Sequence, residues 1–532
     1  MPSRLPCGHM AHRKDEEAFL EPMKKRPISM ALRTGFASLM IAAAAAPQAV
    51  AQPALPSLGE GGALTAGAER RLGERIAREL YRDPDYLDDA VLAEYVRGLW
   101  EPLLAAARAR GELAPEIDER FAWQILLGRD RAVNAFALPG GYLGLNLGLI
   151  GVVESADELA SVLAHELSHV TQRHISRLIE RQSQQTPLLL GALLLGALAA
   201  SKNADMANAV VVGGQAVAAQ SQLNFSRDME READRIGLGV MTQAGFDPRG
   251  FTGMFQKLQQ TSRLNDNGAF PYLRSHPLTT ERIAEMQARQ PEAAAPAAKP
   301  SLEHALISAR ARVLSNPGVD RLRAWAAEPE ATGFAGLDVA RRAAVLYAAA
   351  LAELQLRQFS QATNRASQLR QLVKDEPRAA RLARLLAGQI ALAAGHAAEA
   401  VRLIEDAVPR GATLPRPERL MLAQGWMQTG QATKAVDVLQ PWVVAHPRDA
   451  IAWQNLALAW KAQGQALRAV RAEGEAQMAQ LDFAGAVDRF KAAQMLAGRG
   501  GAHPADDIEA SIVDSRLRQA QAWLREQAED SR

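Results

Sequence analysis

The sequence predicts a mainly α protein with a small β-sheet, followed by an α-solenoid of tetratricopeptide repeats. Three observations carry this. A His-Glu-x-x-His motif at His165–His169 sits inside a helix pattern, and two short apolar runs before it read as strands. Small residues then recur with a period of about 34 through the C-terminal part. At 532 residues, more than one domain is expected.

The chain opens with a targeting pattern. Lys24, Lys25 and Arg26 form a basic region, residues 36–46 an apolar one, and Ala49-Val50-Ala51 fits a cleavage site before Gln52. Residues 1–51 are therefore read as leader and signal peptide, with Met23 the expected true start. The single cysteine, Cys7, precedes that start, so the mature chain is expected to hold no disulfide, which suits an oxidising compartment. Residues 52–65 form a Pro/Gly-rich stretch. Leu72, Ile76 and Leu80, then Leu92, Tyr95, Val96 and Leu99, repeat at helical spacing over 68–112. Residues 121–127 and 142–145 read as the strands. Ser155-Ala156-Asp157-Glu158 is a capping box, and Leu159, Val162, Leu163, Leu167 and Val170 extend the helix through the motif.

On that helix His165 and His169 lie one turn apart, so both imidazoles can bind a single zinc ion. Glu166, beside them, can take a proton from a metal-activated water. A third ligand is needed. Glu230 and Asp234 are one turn apart on a later helix pattern; spacing alone would leave them as a solvated face. His174 falls about 140° round the helix from His169 and is read as a surface or supporting residue rather than a ligand.

Taken together, His165–His169, the FSRxxExEAD pattern from Phe225 to Asp234, the SHPLTTER stretch from Ser275 to Arg282 and the NAFALPGG stretch from Asn134 resemble peptidase family 48 of the zinc metallopeptidases. The resemblance covers roughly residues 68–290. It implies one zinc per chain held by His165, His169 and Glu230, with Glu166 and Asp234 catalytic. It implies a substrate-binding sheet edge entered through Gly140, Gly141 and Tyr142. In the family's repeat-bearing periplasmic subgroup, a histidine matching His276 resembles a fourth, regulatory ligand. It would fill the position a catalytic zinc leaves open, giving a latent enzyme. The same subgroup implies a location in the periplasm of a Gram-negative bacterium. The implied partners are unfolded or stalled outer-membrane β-barrel proteins and, through the repeats, the barrel assembly machinery, with chaperone activity beside proteolysis.

The peptidase domain is expected over 52–290 and a Pro/Ala linker over 291–301. Gly395, Gly430 and Gly464, each followed by an alanine (Ala400, Ala435, Ala469) and a valine (Val401, Val436, Val470), mark the repeats, with outer members at 357–362 and 481–486. The repeat domain spans 302–497 and a helical tail 498–532. Residues 188–200 and 207–219 are almost wholly apolar. As a helix the first would span about 20 Å, short of a bilayer core of about 30 Å. It is read as a lid that meets the membrane surface or apolar substrate, set against a buried helix pair.

No apolar run of about 18 residues follows the signal, which argues against an integral-membrane peptidase. A formal charge of +2 argues neither for nucleic acid nor for an acidic partner, and without a basic, aromatic-interleaved cluster no nucleic-acid partner is expected. The competing class is a chaperone or scaffold whose zinc is closed by His276. Glu166 favours the enzyme, because a structural site needs no general base.

Overall fold

A computed structural model describes residues 64–181, 227–264, 271–290, 301–409, 411–498 and 504–529. The expected signal peptide, residues 291–300 of the expected linker and the apolar segment at 188–219 lie outside the described residues. Gly59–Arg532 forms one compact unit.

The first helix, Ala66–Arg82, starts where the Thr65 hydroxyl accepts from Ala68 N–H at 3.2 Å. Its Leu72–Ile76 stripe is buried against the sheet, over the turn Pro139–Gly141. Gly73 permits that approach: a Cβ there would lie 1.9 Å from the Pro139 carbonyl oxygen. Helix Ala90–Ala109, capped by Asp89, buries Leu92, Val96 and Leu99 of the stripe read from the sequence, with Tyr95 half-buried, and adds Leu103.

Four short strands form the sheet: β1 (Tyr86–Leu87), β2 (Gln124–Gly128), β3 (Ala135–Leu138) and β4 (Tyr142–Asn146), in the order β1-β2-β4-β3. β4 runs parallel to β2, with Gln124 opposite Tyr142, and antiparallel to β3, with Leu138 opposite Tyr142. This corrects the expected substrate edge. Gly140, Gly141 and Tyr142 are buried and lead into a central strand, while among the described residues the edge strand on that side of the sheet is β3. The physical reason is the hairpin. Its tight turn sends the chain back beside β3, and β4, buried along its whole length, gains partners on both sides.

Helix Ala156–Thr171 begins at Ser155, whose hydroxyl accepts from Glu158 N–H at 3.1 Å. Every residue from Leu159 to Val170 is buried, so the motif sits inside the protein rather than on a surface helix. It packs against β3, helix Ala90–Ala109 and helices Arg227–Gln243 and Arg249–Leu264. At Gly237 a Cβ would stand 3.1 Å from the His165 backbone nitrogen, so this glycine sets how closely the second functional helix approaches the first.

The C-terminal half is helical throughout its described residues. Helix pairs Val339–Gln355/Phe359–Leu372, Pro377–Ala393/Ala397–Glu405, Arg416–Gln428/Ala432–Ala445 and Ala450–Ala462/Ala466–Ala479 lead to Phe483–Ala497 and a last helix, Pro504–Glu529. Gly395, Gly430 and Gly464 turn the chain at φ of 82°, 74° and 74°, and the alanines five residues on are buried where helices meet. Arg357 (φ 59°) and Leu481 (φ 61°) take the same left-handed turn in the outer members without a glycine.

The two halves share one core. Helix Leu302–Leu314 lies against the short helix Leu147–Val152 and helix Ala90–Ala109. Three arginines clip the array to the acidic start of Ala90–Ala109. Buried Arg310 binds Asp89 at 2.8 and 2.6 Å, Arg381 joins Glu94 to Glu418, and Arg416 joins Asp88 to Asp449.

Burial pushes the Asp89 carboxyl up, but Arg310 and the Leu92 N–H outweigh it and hold it below its usual value. A carboxyl depressed on folding stabilises above the unfolded value of about 4, and that contribution is lost as pH falls through the folded value. Arg310→Ala, which strands Asp89 without its partner, is expected to cost about 3–5 kcal/mol in urea unfolding at pH 7.

Candidate metal centre

His165, His169, Glu230 and His276 converge, all buried, with one candidate ligand atom from each within 4.8 Å of the others. His165 Nε2 lies 3.0 Å from His169 Nε2, and His169 Nε2 lies 3.4 Å from Glu230 Oε1. His276 Nδ1 lies 3.0 Å from Glu230 Oε1 and 3.4 Å from His165 Nε2. A tetrahedron with metal–ligand bonds of about 2.0–2.1 Å has edges of roughly 3.3–3.4 Å, so these separations are close to those of one ligand shell.

Each motif histidine is oriented from behind. His165 Nδ1 lies 2.9 Å from Asp234 Oδ1, although poorly aligned for a hydrogen bond. Asp234 is in turn held by Arg282 through Nε at 2.6 Å and Nη2 at 2.8 Å. His169 Nδ1 lies 2.8 Å from His174 Nδ1, and His174 Nε2 lies 3.0 Å from Glu232, which Arg177 also holds at 2.8 Å. The partners fix the protons. Glu232 only accepts, so His174 donates from Nε2 and receives the His169 Nδ1–H. Asp234 likewise favours the proton on His165 Nδ1. Both motif histidines then turn an Nε2 lone pair inward.

Two such lone pairs 3.0 Å apart repel unless a cation lies between them. Charge gives the same requirement. Glu166, Glu230 and Asp234 are buried, and among the described residues Arg282 is the buried arginine that meets them, so neutral imidazoles leave an excess of about two negative charges. A divalent metal supplies what the burial lacks. The titration directions divide: burial holds the His169 imidazole well below its usual value and so neutral, whereas His165 and Glu230 call for positive charge beside them. Burial opposes a proton on His165, but Asp234 and Glu230 outweigh it and raise its pKa to about 10. Burial opposes the charge on Glu230, yet the three histidines hold it well below the carboxylate range. These groups demand positive charge at this point.

Glu166 stands between the ligands and the sheet. Its Oε2 accepts from Ala137 N–H of β3 at 2.9 Å, while Oε1 is buried without a hydrogen-bond partner, 3.4 Å from His276 Nε2. Burial pushes its carboxyl up.

Residues 108–290 match peptidase family M48. The beta-barrel assembly-enhancing protease of Escherichia coli (strain K12) is 30% identical over 439 residues, 81% of this chain and 85% of that protein. The chain belongs to peptidase family M48. The putative beta-barrel assembly-enhancing protease of Vibrio cholerae is 34% identical over 332 residues, 61% of this chain and 64% of the relative. The mitochondrial metalloendopeptidase OMA1 of Arabidopsis thaliana is 33% identical over 164 residues, 31% of each chain. The M48 chain is accordingly a metalloendopeptidase, mainly α with its small sheet, as the motifs implied.

In this M48 chain Asp234 lies behind His165. His174 is buried and supports His169, so of its two readings the surface one is excluded. The angular argument assumed one continuous helix. The chain instead breaks at Arg173 (φ 52°) and restarts at His174, which brings the ring back onto His169. Arg282 and Glu232 were not singled out in the sequence. Both lie within the quoted family stretches, but nothing local separates a buried arginine from a solvated one. Asp234→Asn is expected to lower metal affinity about 10–100-fold in competition with a chromophoric chelator.

Proposed function

We propose that this metallopeptidase is a periplasmic zinc endopeptidase acting on unfolded or stalled outer-membrane β-barrel proteins, with the zinc held by His165, His169 and Glu230. The observation that carries this reading is Glu166, a buried carboxylate with one oxygen lacking a hydrogen bond, lying between the ligand cluster and the edge strand β3. Zinc, when bound, acidifies a coordinated water to a pKa of about 7 and polarises the scissile carbonyl. Glu166 takes the water proton as general base; its raised pKa brings it nearer the working pH. Ala137 N–H holds the other carboxylate oxygen, so Oε1 keeps its aim. Glu166 then delivers the proton to the leaving amine. Asp234 and His174 keep the two imidazoles in the ligating tautomer. An extended substrate pairs along β3, whose outer edge lies beside Glu166, by strand addition.

The client class rests on the names of the assembly-enhancing relatives. The secretory pattern at 24–51 supports the location, and no described helix is long and apolar enough to cross a membrane. In this reading the helix pairs of 302–497 are tetratricopeptide repeats that hold the client or the barrel assembly machinery.

One observation favours a second, compatible state. His276 reaches the ligand cluster from the loop after the short helix Pro271–Ser275, where the Tyr272 ring packs on it with centroids 4.6 Å apart. In that position it closes the site, and the protein acts as a chaperone or scaffold until the loop moves. With a reduced, unfolded barrel protein as substrate, Glu166→Gln is expected to lower cleavage by about 10²–10⁴-fold while retaining metal. His276→Ala is expected to raise basal cleavage. Full activity in the first variant would remove the assigned base, and unchanged basal cleavage in the second would remove latency.

A further inference from the structure

A cleft of about 400 Å³ runs between the first helix, Ala66–Arg82, and the end of the helical array, and the peptidase mechanism makes no use of it. Arg70, Arg71, Arg75 and Arg78 line one wall, and Arg448 and Arg516 the other. Against these six arginines the lining supplies two glutamates, Glu74 and Glu526. Glu74 is engaged by Arg70 at 2.7 Å, Arg78 lies 3.4 Å from Glu79, which is not part of the lining, and Arg516 reaches out of the cleft to Glu475 at 2.7 Å. Arg448 is exposed and pairs with no carboxylate among the described residues; its guanidinium lies 3.5 Å from the Ala122 carbonyl. An ion pair, Arg82–Asp482 at 3.1 Å, ties the walls together.

Even with these pairs the cleft holds more arginines than carboxylates, which favours an entering anion, and the planar guanidinium fork fits a carboxylate or phosphate with two parallel hydrogen bonds. The apolar part of the lining narrows the choice. Trp523, 37% exposed, stands with its ring 5.1 Å from Phe483, and Leu481 and Met478 line the same cleft. A bare phosphate would leave that surface wet. A flat membrane surface would not reach arginines on the inner walls. The volume falls within the ~300–1,000 Å³ of small-ligand sites, enough for a short stretch of peptide.

We propose that this cleft binds an extended acidic segment of a partner polypeptide, with carboxylates on Arg448 and Arg78 and an adjacent apolar side chain against Trp523. The site is separate from the metal ligands and stands whether or not the peptidase reading holds.

The test uses the full chain with its metal bound. The probe is a pentapeptide alternating glutamate with leucine and phenylalanine, acetylated and amidated so that it carries no charged terminus. Binding is followed by calorimetry and by tryptophan fluorescence, with Trp523→Phe identifying the responding ring. Saturable binding that weakens with salt is expected, reduced at least about tenfold by Arg78→Glu with Arg448→Glu. Thermal melting of the variants checks their folding, and the exposed single substitution Arg448→Ala, expected to weaken binding several-fold, keeps the test open if the double variant unfolds. Equal binding of the lysine counterpart would overturn the proposal. So would displacement by equimolar inorganic phosphate, by anionic vesicles, or unchanged affinity in the variants.

Discussion

The structure turns on the burial of charge between two helices. Helix Ala156–Thr171 carries His165, Glu166 and His169 with no exposed face, and helix Arg227–Gln243 brings Glu230 and Asp234 against it. Isolated charges in such a place are expensive to desolvate, and a pair must be well matched to persist. Arg282 meets part of the demand through its contacts with Asp234 and Glu230. The remaining negative charge is what suits the cluster to a metal ion as well as to its ion pair with Arg282.

Much of the surrounding fold serves that one arrangement. Gly237 lets the carboxylate helix come within reach, and the β3–β4 hairpin puts an amide on Glu166. The chain break at Arg173 turns His174 inward. Both motif histidines are held at their far nitrogen, and it is the far end that decides which imidazole nitrogen faces the cluster.

The helical array is built into the peptidase rather than hung from it. Asp88, Asp89 and Glu94, at one end of a peptidase helix, receive arginines from three helices of the C-terminal half, and helix Leu302–Leu314 enters the shared core. Displacement of the array would uncover acidic groups paired with buried or half-buried arginines, so the two parts are expected to behave as one body. A partner held by the array is then held at a set position relative to β3 and to the ligands. The arginine-lined cleft belongs to the same arrangement, since its walls come from opposite ends of the chain.

Whatever depends on neighbours along the chain was legible in the sequence. Two histidines one turn apart and the stripe on helix Ala90–Ala109 express helical periodicity, and the Ser155 cap and the turn glycines Gly395, Gly430 and Gly464 are likewise set by a few neighbouring residues. Glu230 and Asp234 were legible only through resemblance, because a carboxylate pair on a helix looks the same in solvent as in a core. Tertiary structure alone decided the rest. Asp234 meets Arg282 across 48 residues, and Arg310 meets Asp89 across 221. The order of the strands depended on which way a hairpin returned, and the NAFALPGG stretch therefore supplies its edge strand from before the turn, not after it. Side-chain burial and long-range pairing are set by how elements pack, and packing leaves no periodic mark on the residues that take part in it.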